Sequence, residues 1–315
     1  MDYNCIVAYS GGRDSTYILW YAVKRLGLKT LAVFTDNGYT PDHTKRNIKR
    51  ICEKLGTDLI VKRYSTLPRA FPGMLKAWMR KPSSATVGLL CAGCAGGRRL
   101  RLPLVAQKYR IPLMLSGGGE PVNSFAELMV APGNRVVRKA DLLRGFAAEF
   151  TKNPRLALSP IRISIMGFDF SMRYFGSSII KLLGIGYPKK LIFPYRYIGW
   201  DEKTIMHNIT SELDWEAGDL SGTPWRSDCL VAPLKNYIYG KMLGFHKVDE
   251  ILSSMVRIGQ IDRNAALDRV TRESWVNPTY LGNFLRSVGI SLKELDEVIK
   301  RWRKNKGYSS NLIRY

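Results

Sequence analysis

The sequence predicts an α/β protein, a doubly wound parallel sheet with a mostly helical C-terminal part. Three observations carry that expectation. Strand-like apolar runs alternate with amphipathic helix-like runs through residues 1–120. Gly27 and Gly56 stand where two of those helices should end. Glycine turns follow the first and fourth apolar runs, where such sheets present their loops.

The elements follow in order. Cys5–Tyr9 reads as the first strand, and the apolar-periodic run Ser15–Leu26 as the first helix. Lys29–Thr35 is the second strand, Pro41–Leu55 the second helix and Asp58–Lys62 the third strand. The pattern weakens between Tyr64 and Leu90, where Met74–Met79 suggests an inserted helix. Arg98–Tyr109 is the next helix and Pro112–Leu115 the fourth strand. Beyond about residue 120 the character changes, with prolines and aromatics scattered through Pro154–Trp200. Helical patterns return in Leu234–Gly244, Lys247–Ile258, Arg263–Glu273 and Leu292–Trp302. The chain therefore divides into residues 1–120 and a helical or irregular region, 121–315, expected to build the substrate pocket.

The turn Ser10-Gly11-Gly12-Arg13-Asp14-Ser15-Thr16 is the most informative stretch. Two glycines without Cβ atoms let backbone N–H groups turn inward together. The following helix start adds unpaired donors and the positive end of its dipole, which makes an anion cradle. Ser10, Ser15 and Thr16 add hydroxyls, and Asp14 puts a carboxylate beside the anion, as Mg²⁺ would require. No Gly-Lys-Ser/Thr follows the spacer of a Walker loop, so this is a phosphate site of another kind. Thr35-Asp36-Asn37-Gly38 closes the second strand beside it, where a nucleoside would lie; a plain Asp-Asn-Gly turn is the competing reading. Leu115-Ser116-Gly117-Gly118-Gly119-Glu120 brings more glycine to a strand end, a sign of ligand approach or a tight bend.

Cysteine placement adds a second constellation. Cys91-Ala92-Gly93-Cys94 has spacing that converges on one metal, and Cys229 could complete a three-cysteine site. Zn²⁺ and a [4Fe–4S] cluster both fit, with a reduced, metal-free loop as the alternative. Cys5 and Cys52 read as packing residues. Only three histidines are present, His43, His207 and His246, which argues against a histidine-rich catalytic metal centre. Five cysteines and no secretory pattern at the N-terminus point to the cytoplasm, and no apolar run is long enough to span a bilayer. The net charge of +23 attracts polyanions, among them RNA, anionic lipid and nucleotide-linked substrates, without choosing between them; a diffuse solvated surface with no polyanion partner is the competing reading.

The first loop resembles the Ser-Gly-Gly-x-Asp-Ser signature of the N-type ATP pyrophosphatases, the PP-loop superfamily, with Arg13 at the x position where Lys is common. That family includes asparagine synthetase, GMP synthetase and the ATP-dependent tRNA thiolation enzymes. The resemblance implies ATP and Mg²⁺ as cofactors, with Ser10, Gly11, Gly12, Asp14, Ser15 and Thr16 around the pyrophosphate. It further implies Asp14 and Arg13 as catalytic residues, Asp36 and Asn37 at the nucleoside, and Gly117 and Gly118 near the α-phosphate. Glu120 becomes a candidate Mg²⁺ ligand beside Asp14, or a substrate contact. The implied reaction is attack of an acceptor oxygen on the α-phosphorus, releasing pyrophosphate and leaving an AMP ester.

Two branches are similar to the chain. The N-acetyl sugar amidotransferases of surface polysaccharide biosynthesis resemble it most. They share the loop, the Cys-x-x-Cys before a helix, and text like Tyr195–Glu202, Arg226-Ser227-Asp228-Cys229 and Arg257–Leu267. Ala95 stands where that family often has His, and its usual cysteine pair ahead of the loop is absent. Cluster-dependent thiolation enzymes, acting on tRNA or a small heterocycle, are the other branch, and they too pair Cys-x-x-Cys with a distant Cys. The first implies ammonia from a separate glutaminase subunit, the second sulfur. A nucleotide sensor without turnover, and a homodimeric assembly, stay open.

Overall fold

The computed structural model describes residues 2–63, 66–92, 94–117, 139–156, 158–218, 228–245 and 247–307. Strands β1 (Cys5–Tyr9), β2 (Thr30–Asp36), β3 (Asp58–Arg63), β4 (Leu113–Ser116) and β5 (Lys190–Ile192) form one sheet in the order β3-β2-β1-β4-β5. Every neighbouring pair is parallel; Val7 stands opposite Ala32 on one side and Leu115 on the other. From β1 the chain winds to β2 on one side and later reaches β4 on the other. The winding therefore reverses between β1 and β4, and their carboxyl ends open a crevice there.

β1 is buried along its whole length because both of its faces are covered. Successive side chains alternate between the faces. Cys5, Val7 and Tyr9 join a core with Ile18, Leu19 and Trp20, while Ile6 and Ala8 face Leu102, Val105 and Ala106. Each large aliphatic side chain so buried contributes about 1.5–3 kcal/mol by leaving water.

Helix α1 (Arg13–Trp20) runs on as a wider π-type turn through Tyr21–Arg25, so the expected first helix is one continuous element of two geometries. In α2 (Asp42–Lys54) the buried residues Thr44, Ile48, Ile51 and Cys52 make the stripe that faces the sheet. α3 (Thr66–Arg80) is longer than the insertion read from Met74–Met79. α4 (Cys94–Lys108) starts at the second cysteine of the pair, four residues ahead of the expected Arg98. The N–H of Gly96, which lacks an acceptor in its own first turn, donates to Asp169 Oδ1 at 2.7 Å and supports that earlier start.

Ten further helices lie among the described residues. They are α5 (Lys139–Lys152), α6 (Pro160–Tyr174), α7 (Gly176–Leu182), α8 (Tyr195–Ile198), α9 (Glu202–Leu213), α10 (Val231–Leu243), α11 (Lys247–Arg257), α12 (Arg263–Glu273), α13 (Pro278–Ser287) and α14 (Leu292–Asn305). Local capping explains several boundaries. Asp201 accepts from the Thr204 N–H at the start of α9, and Ser291 with Glu294 closes a capping box on α14. Phe71, Trp78, Leu234, Ile238, Phe284, Leu285 and Leu295 form a second core among α3, α10, α13 and α14.

The sheet does not end where the composition changes. Its edge strand β5 comes from residues 190–192, and Ile205, Ile209, Ile251 and Leu252 pack in the same core as Trp20 and Ile48. One core thus draws on both sides of residue 120. No helix among the described residues is long and apolar enough to cross a membrane.

Candidate nucleotide site

The Ser10–Thr16 loop occupies the carboxyl end of β1, at the crevice between β1 and β4. Gly11 has φ +79°, and a Cβ there would lie 2.6 Å from Ile48 Cγ1 and 2.8 Å from Thr44 Cγ2. Backbone conformation and space both demand glycine at this position. The loop carbonyls are engaged by protein donors. Trp215 Nε1 donates to Gly11 O at 2.9 Å, and the Tyr195 hydroxyl donates to Asp14 O at 3.0 Å. Ser15 Oγ and Thr16 Oγ1 each donate to Gly12 O at 3.0 Å.

This pattern leaves the amide side of the turn as the side suited to a ligand, since the first-turn N–H groups of a helix lack intrahelical acceptors. Ser10 Oγ lies 3.0 Å from Ser15 Oγ and accepts from Gly12 N at 3.4 Å, so both serines brace the turn. Thr16 is fully buried, and its hydroxyl belongs to the helix start. Such a turn binds anions through backbone donors and the dipole of α1.

Arg13 and Asp14 face a buried network. Arg13 is 4% exposed; its Nε donates to Asp14 Oδ1 at 2.9 Å, its Nη1 donates to Glu202 Oε1 at 3.0 Å, and its guanidinium lies 5.1 Å over the Trp200 ring. Trp200 Nε1 also donates to Asp14 Oδ1, at 3.2 Å. Glu202 receives Arg269 Nη1 at 2.6 Å and Nη2 at 3.1 Å, and Arg269 in turn holds Glu273 at 2.6 Å. Burial pulls the Arg269 pKa down, but the hydrogen bonds and charges of Glu202 and Glu273 outweigh it and the net shift is upward. The loop is thereby fastened through Arg13 to α9 and α12. Trp200, Glu202, Tyr195, Trp215 and Arg269 were not visible as site residues in the sequence, because each acts from nearly two hundred positions away or more.

The neighbouring strand ends meet the same place in different ways. Gly117 lies against the start of α1: a Cβ on it would stand 3.2 Å from Ser15 N and Ser15 Cα. The end of β4 thus packs directly on the first loop. Gly118 and Glu120 lie outside the described residues. Asp36 Oδ1 accepts from Gly38 N at 2.9 Å, a local turn of the kind its sequence suggests. Asn37 is buried; its Oδ1 accepts from Tyr39 N at 2.8 Å, and its Nδ2 donates at 3.5 Å to both Cys94 Sγ and Cys229 Sγ.

Cys94 and Cys229 are therefore neighbours, and Cys91 is close enough to Cys94 to act on it electrostatically. Lys235 Nζ lies 3.0 Å from Cys91 Sγ. Burial raises the Cys94 thiol pKa, and burial, with the neighbouring Cys94 and Asp228 charges, pushes Cys229 up to about 12. A metal would bind these thiols only with release of their protons. Among the described residues no group of three or more His, Cys, Asp or Glu is placed to hold a metal ion. In this arrangement the cysteine pocket does not fit a closed metal site. Cys5 and Cys52 are buried and free, in keeping with packing roles.

Asp228 lies in the Arg226-Ser227-Asp228-Cys229 stretch, and the sequence alone assigns it no role. Its Cγ and Oδ2 lie 3.2 Å from where a Cβ on Gly12 would stand. The segment carrying it is pinned to the end of β2, through Cys229 at Asn37 and through Leu230 N donating to Tyr39 O at 2.9 Å. Mg²⁺ is commonly bound by one or two carboxylates together with substrate phosphates, without a full protein cage. One carboxylate beside an anion cradle is a donor set that fits it.

Residues 223–315 match the family model described as "LPS biosynthesis protein WbpG-like, C-terminal domain". The matched part includes Asp228, Cys229, Lys235 and Arg269; Asp228 reaches the loop at Gly12, and Arg269 reaches it indirectly, through Glu202 and Arg13. No curated protein matches the chain in sequence. Among solved structures it is similar to NMN synthetase from Francisella tularensis, at 15% identity, covering 61% of this chain and 89% of that one, with a TM-score of 0.31. It is also similar to the U34-tRNA thiolase NcsA from Methanococcus maripaludis with its [4Fe-4S] cluster, at 13% identity, 68% and 84% coverage and a TM-score of 0.28. A cavity of about 950 Å³ elsewhere, lined by Arg80, Glu149, Glu297 and Arg301 among others, includes none of the loop residues.

Proposed function

We propose that the chain is an ATP-dependent adenylating enzyme that activates the amide oxygen of an N-acetyl sugar and passes ammonia to it, in surface polysaccharide biosynthesis. The observation that carries this reading is the Ser10–Thr16 turn at the β1/β4 crevice, its carbonyls held back by Trp215, Tyr195 and its own hydroxyls. The WbpG-like match over residues 223–315 supports the polysaccharide assignment. The acceptor amide oxygen attacks the α-phosphorus, the bond to the β-phosphate oxygen breaks, and pyrophosphate leaves. Ammonia then attacks the imidate carbon and AMP departs with the C–O bond electrons, giving an amidine after loss of a proton. The amide donors of the turn stabilise the charge that gathers on the departing pyrophosphate. Bound Mg²⁺ would supply further neutralisation of that charge. Ammonia is expected from a separate glutaminase subunit.

The test uses a nucleotide-linked N-acetyl sugar carrying ¹⁸O in its acetamido group, with ATP, Mg²⁺ and ammonium. Sugar-dependent AMP and pyrophosphate in equal amounts, with ¹⁸O in the AMP, is the expected result. ADP and phosphate, or AMP without the label, would overturn it. The proximity of Cys94 and Cys229 at Asn37 favours one second reading, sulfur transfer to tRNA or a heterocycle by an Fe–S-dependent enzyme. Iron with labile sulfide in anaerobically prepared protein, lost in Cys91→Ala, would decide for it.

A further inference from the structure

We propose that Asp228, rather than Asp14, is the carboxylate that holds the divalent cation accompanying the phosphates of bound ATP. This rests on the reading of the Ser10–Thr16 turn as a pyrophosphate site.

Asp14 is the residue that a carboxylate in the loop would suggest, yet its oxygens are engaged. Oδ1 accepts from Arg13 Nε at 2.9 Å and from Trp200 Nε1 at 3.2 Å, and Oδ2 lies 3.4 Å from Arg13 Nη2. Its side chain is 20% exposed, against 3% for Arg13. Its charge is already matched by a buried guanidinium, and that guanidinium is fixed in turn by Glu202. Freeing Asp14 for a cation would break a charge-assisted hydrogen bond to a buried guanidinium.

Asp228 has the opposite surroundings. It lies against the cap of α1 at Gly12, its Cγ and Oδ2 3.2 Å from where a Cβ there would stand, so no side chain separates the carboxylate from the turn that would carry a phosphate. Among the described residues no basic side chain forms an ion pair with it. A bare carboxylate beside a polyphosphate is repulsive, and a divalent cation shared by both converts that repulsion into binding. The Cys229 thiol at the Asn37 amide and the Leu230 N–H donating to Tyr39 O hold the carboxylate in place, so it is a fixed feature of the crevice.

The experiment is a titration of the full chain with α,β-methylene-ATP, with Mn²⁺ or with EDTA, followed by Mn²⁺ electron paramagnetic resonance and calorimetry. In the wild type Mn²⁺ should strengthen nucleotide binding. In Asp228→Asn that enhancement should fall at least tenfold, while the metal-free nucleotide binds as well as before or better, because a like charge is gone. Asp228→Glu, which keeps the charge and shifts it by one methylene, should fall between the two and guards against a folding defect in the first variant. Full enhancement in Asp228→Asn, or equal weakening with and without metal, would overturn the assignment. A wild type that binds no nucleotide under either condition would overturn the pyrophosphate site itself, an outcome distinct from the other two.

Discussion

The glycine loop and the cysteine pocket are next to each other, joined by the Asp228–Cys229 step, yet they are built in opposite ways. The loop is seven consecutive residues, and the carbonyls of Gly11, Gly12 and Asp14 are held by hydroxyl and indole donors at 2.9–3.0 Å. The pocket gathers residues 91, 94 and 229, and two of its sulfurs share a single amide nitrogen at 3.5 Å. Strong, short bonds preorganise the loop for an anion before any ligand arrives. Long contacts to one shared amide hold Cys94 and Cys229 in company without short bonds to fix them. The difference teaches that readiness for chemistry lies in how the surrounding groups are satisfied, since both places are rich in reactive residue types.

The largest effect that would break this contrast belongs to Gly11→Ala. A side chain there meets Ile48 and Thr44 at under 3 Å with φ at +79°. Left-handed backbone costs an alanine about 1–2 kcal/mol, and overpacking adds about 1–3 kcal/mol. Chemical denaturation should therefore show a loss of about 2–5 kcal/mol, together with loss of ATP binding. A variant as stable as wild type would mean that the loop is softer than its contacts imply.

Next comes Glu202→Gln. The carboxylate serves Arg13 and Arg269 at once, with a side chain 13% exposed. Stripping a buried charge of its only partner costs about 3–5 kcal/mol. Here Asp14 and Glu273 still attend the two arginines, so a smaller loss, about 2–3 kcal/mol, is expected by denaturation. The readout that separates this from a general defect is nucleotide binding. It should weaken, because Arg13 then pulls less firmly on the turn, whereas Glu273→Gln should cost stability with less effect on the nucleotide.

The sheet and the loop were legible because their information is local. Strand periodicity placed Cys5–Tyr9 and Asp58–Lys62 within a residue of their ends, and the helix limits of Arg263–Glu273 coincided with the structure. The proline and aromatic residues between Pro154 and Trp200 obscure the apolar period of α6, whereas α9 begins beyond that stretch and its period is simply not picked out by the sequence pattern. β5 is three residues long and exposed on two of them, too short for any alternation to show. At the site, seven adjacent residues announced the loop, but nothing in Trp215 or Tyr195 alone says that its side chain ends on a loop carbonyl. Asn37 is the instructive case. Its position after β2 suggested a nucleoside, whereas its amide is turned to two thiols that stand 57 and 192 residues away.

The smallest effect sharpens the contrast from the side of the pocket and appears only in alkali. Cys229 has an ordinary value of 9.0 that burial lifts to about 12, and Cys94 shifts in the same direction. The folded state therefore holds the thiol proton more tightly than the unfolded state does. Below pH 9 both states are protonated and the stabilising contribution is whole. As the pH rises from 9 towards 12 the unfolded chain ionises first, and that contribution is lost. One unit above the ordinary value the loss is about 1 kcal/mol per thiol of this kind. Denaturation at pH 8 and pH 10 should show that decline in the wild type and a shallower one in Cys229→Ser. The same burial predicts slow alkylation of Cys229 at pH 8 until the chain is unfolded. A Cys229 that alkylates in the native protein as fast as a free thiol would mean that the pocket opens readily, and that its sulfurs are held even more loosely than the 3.5 Å contacts suggest.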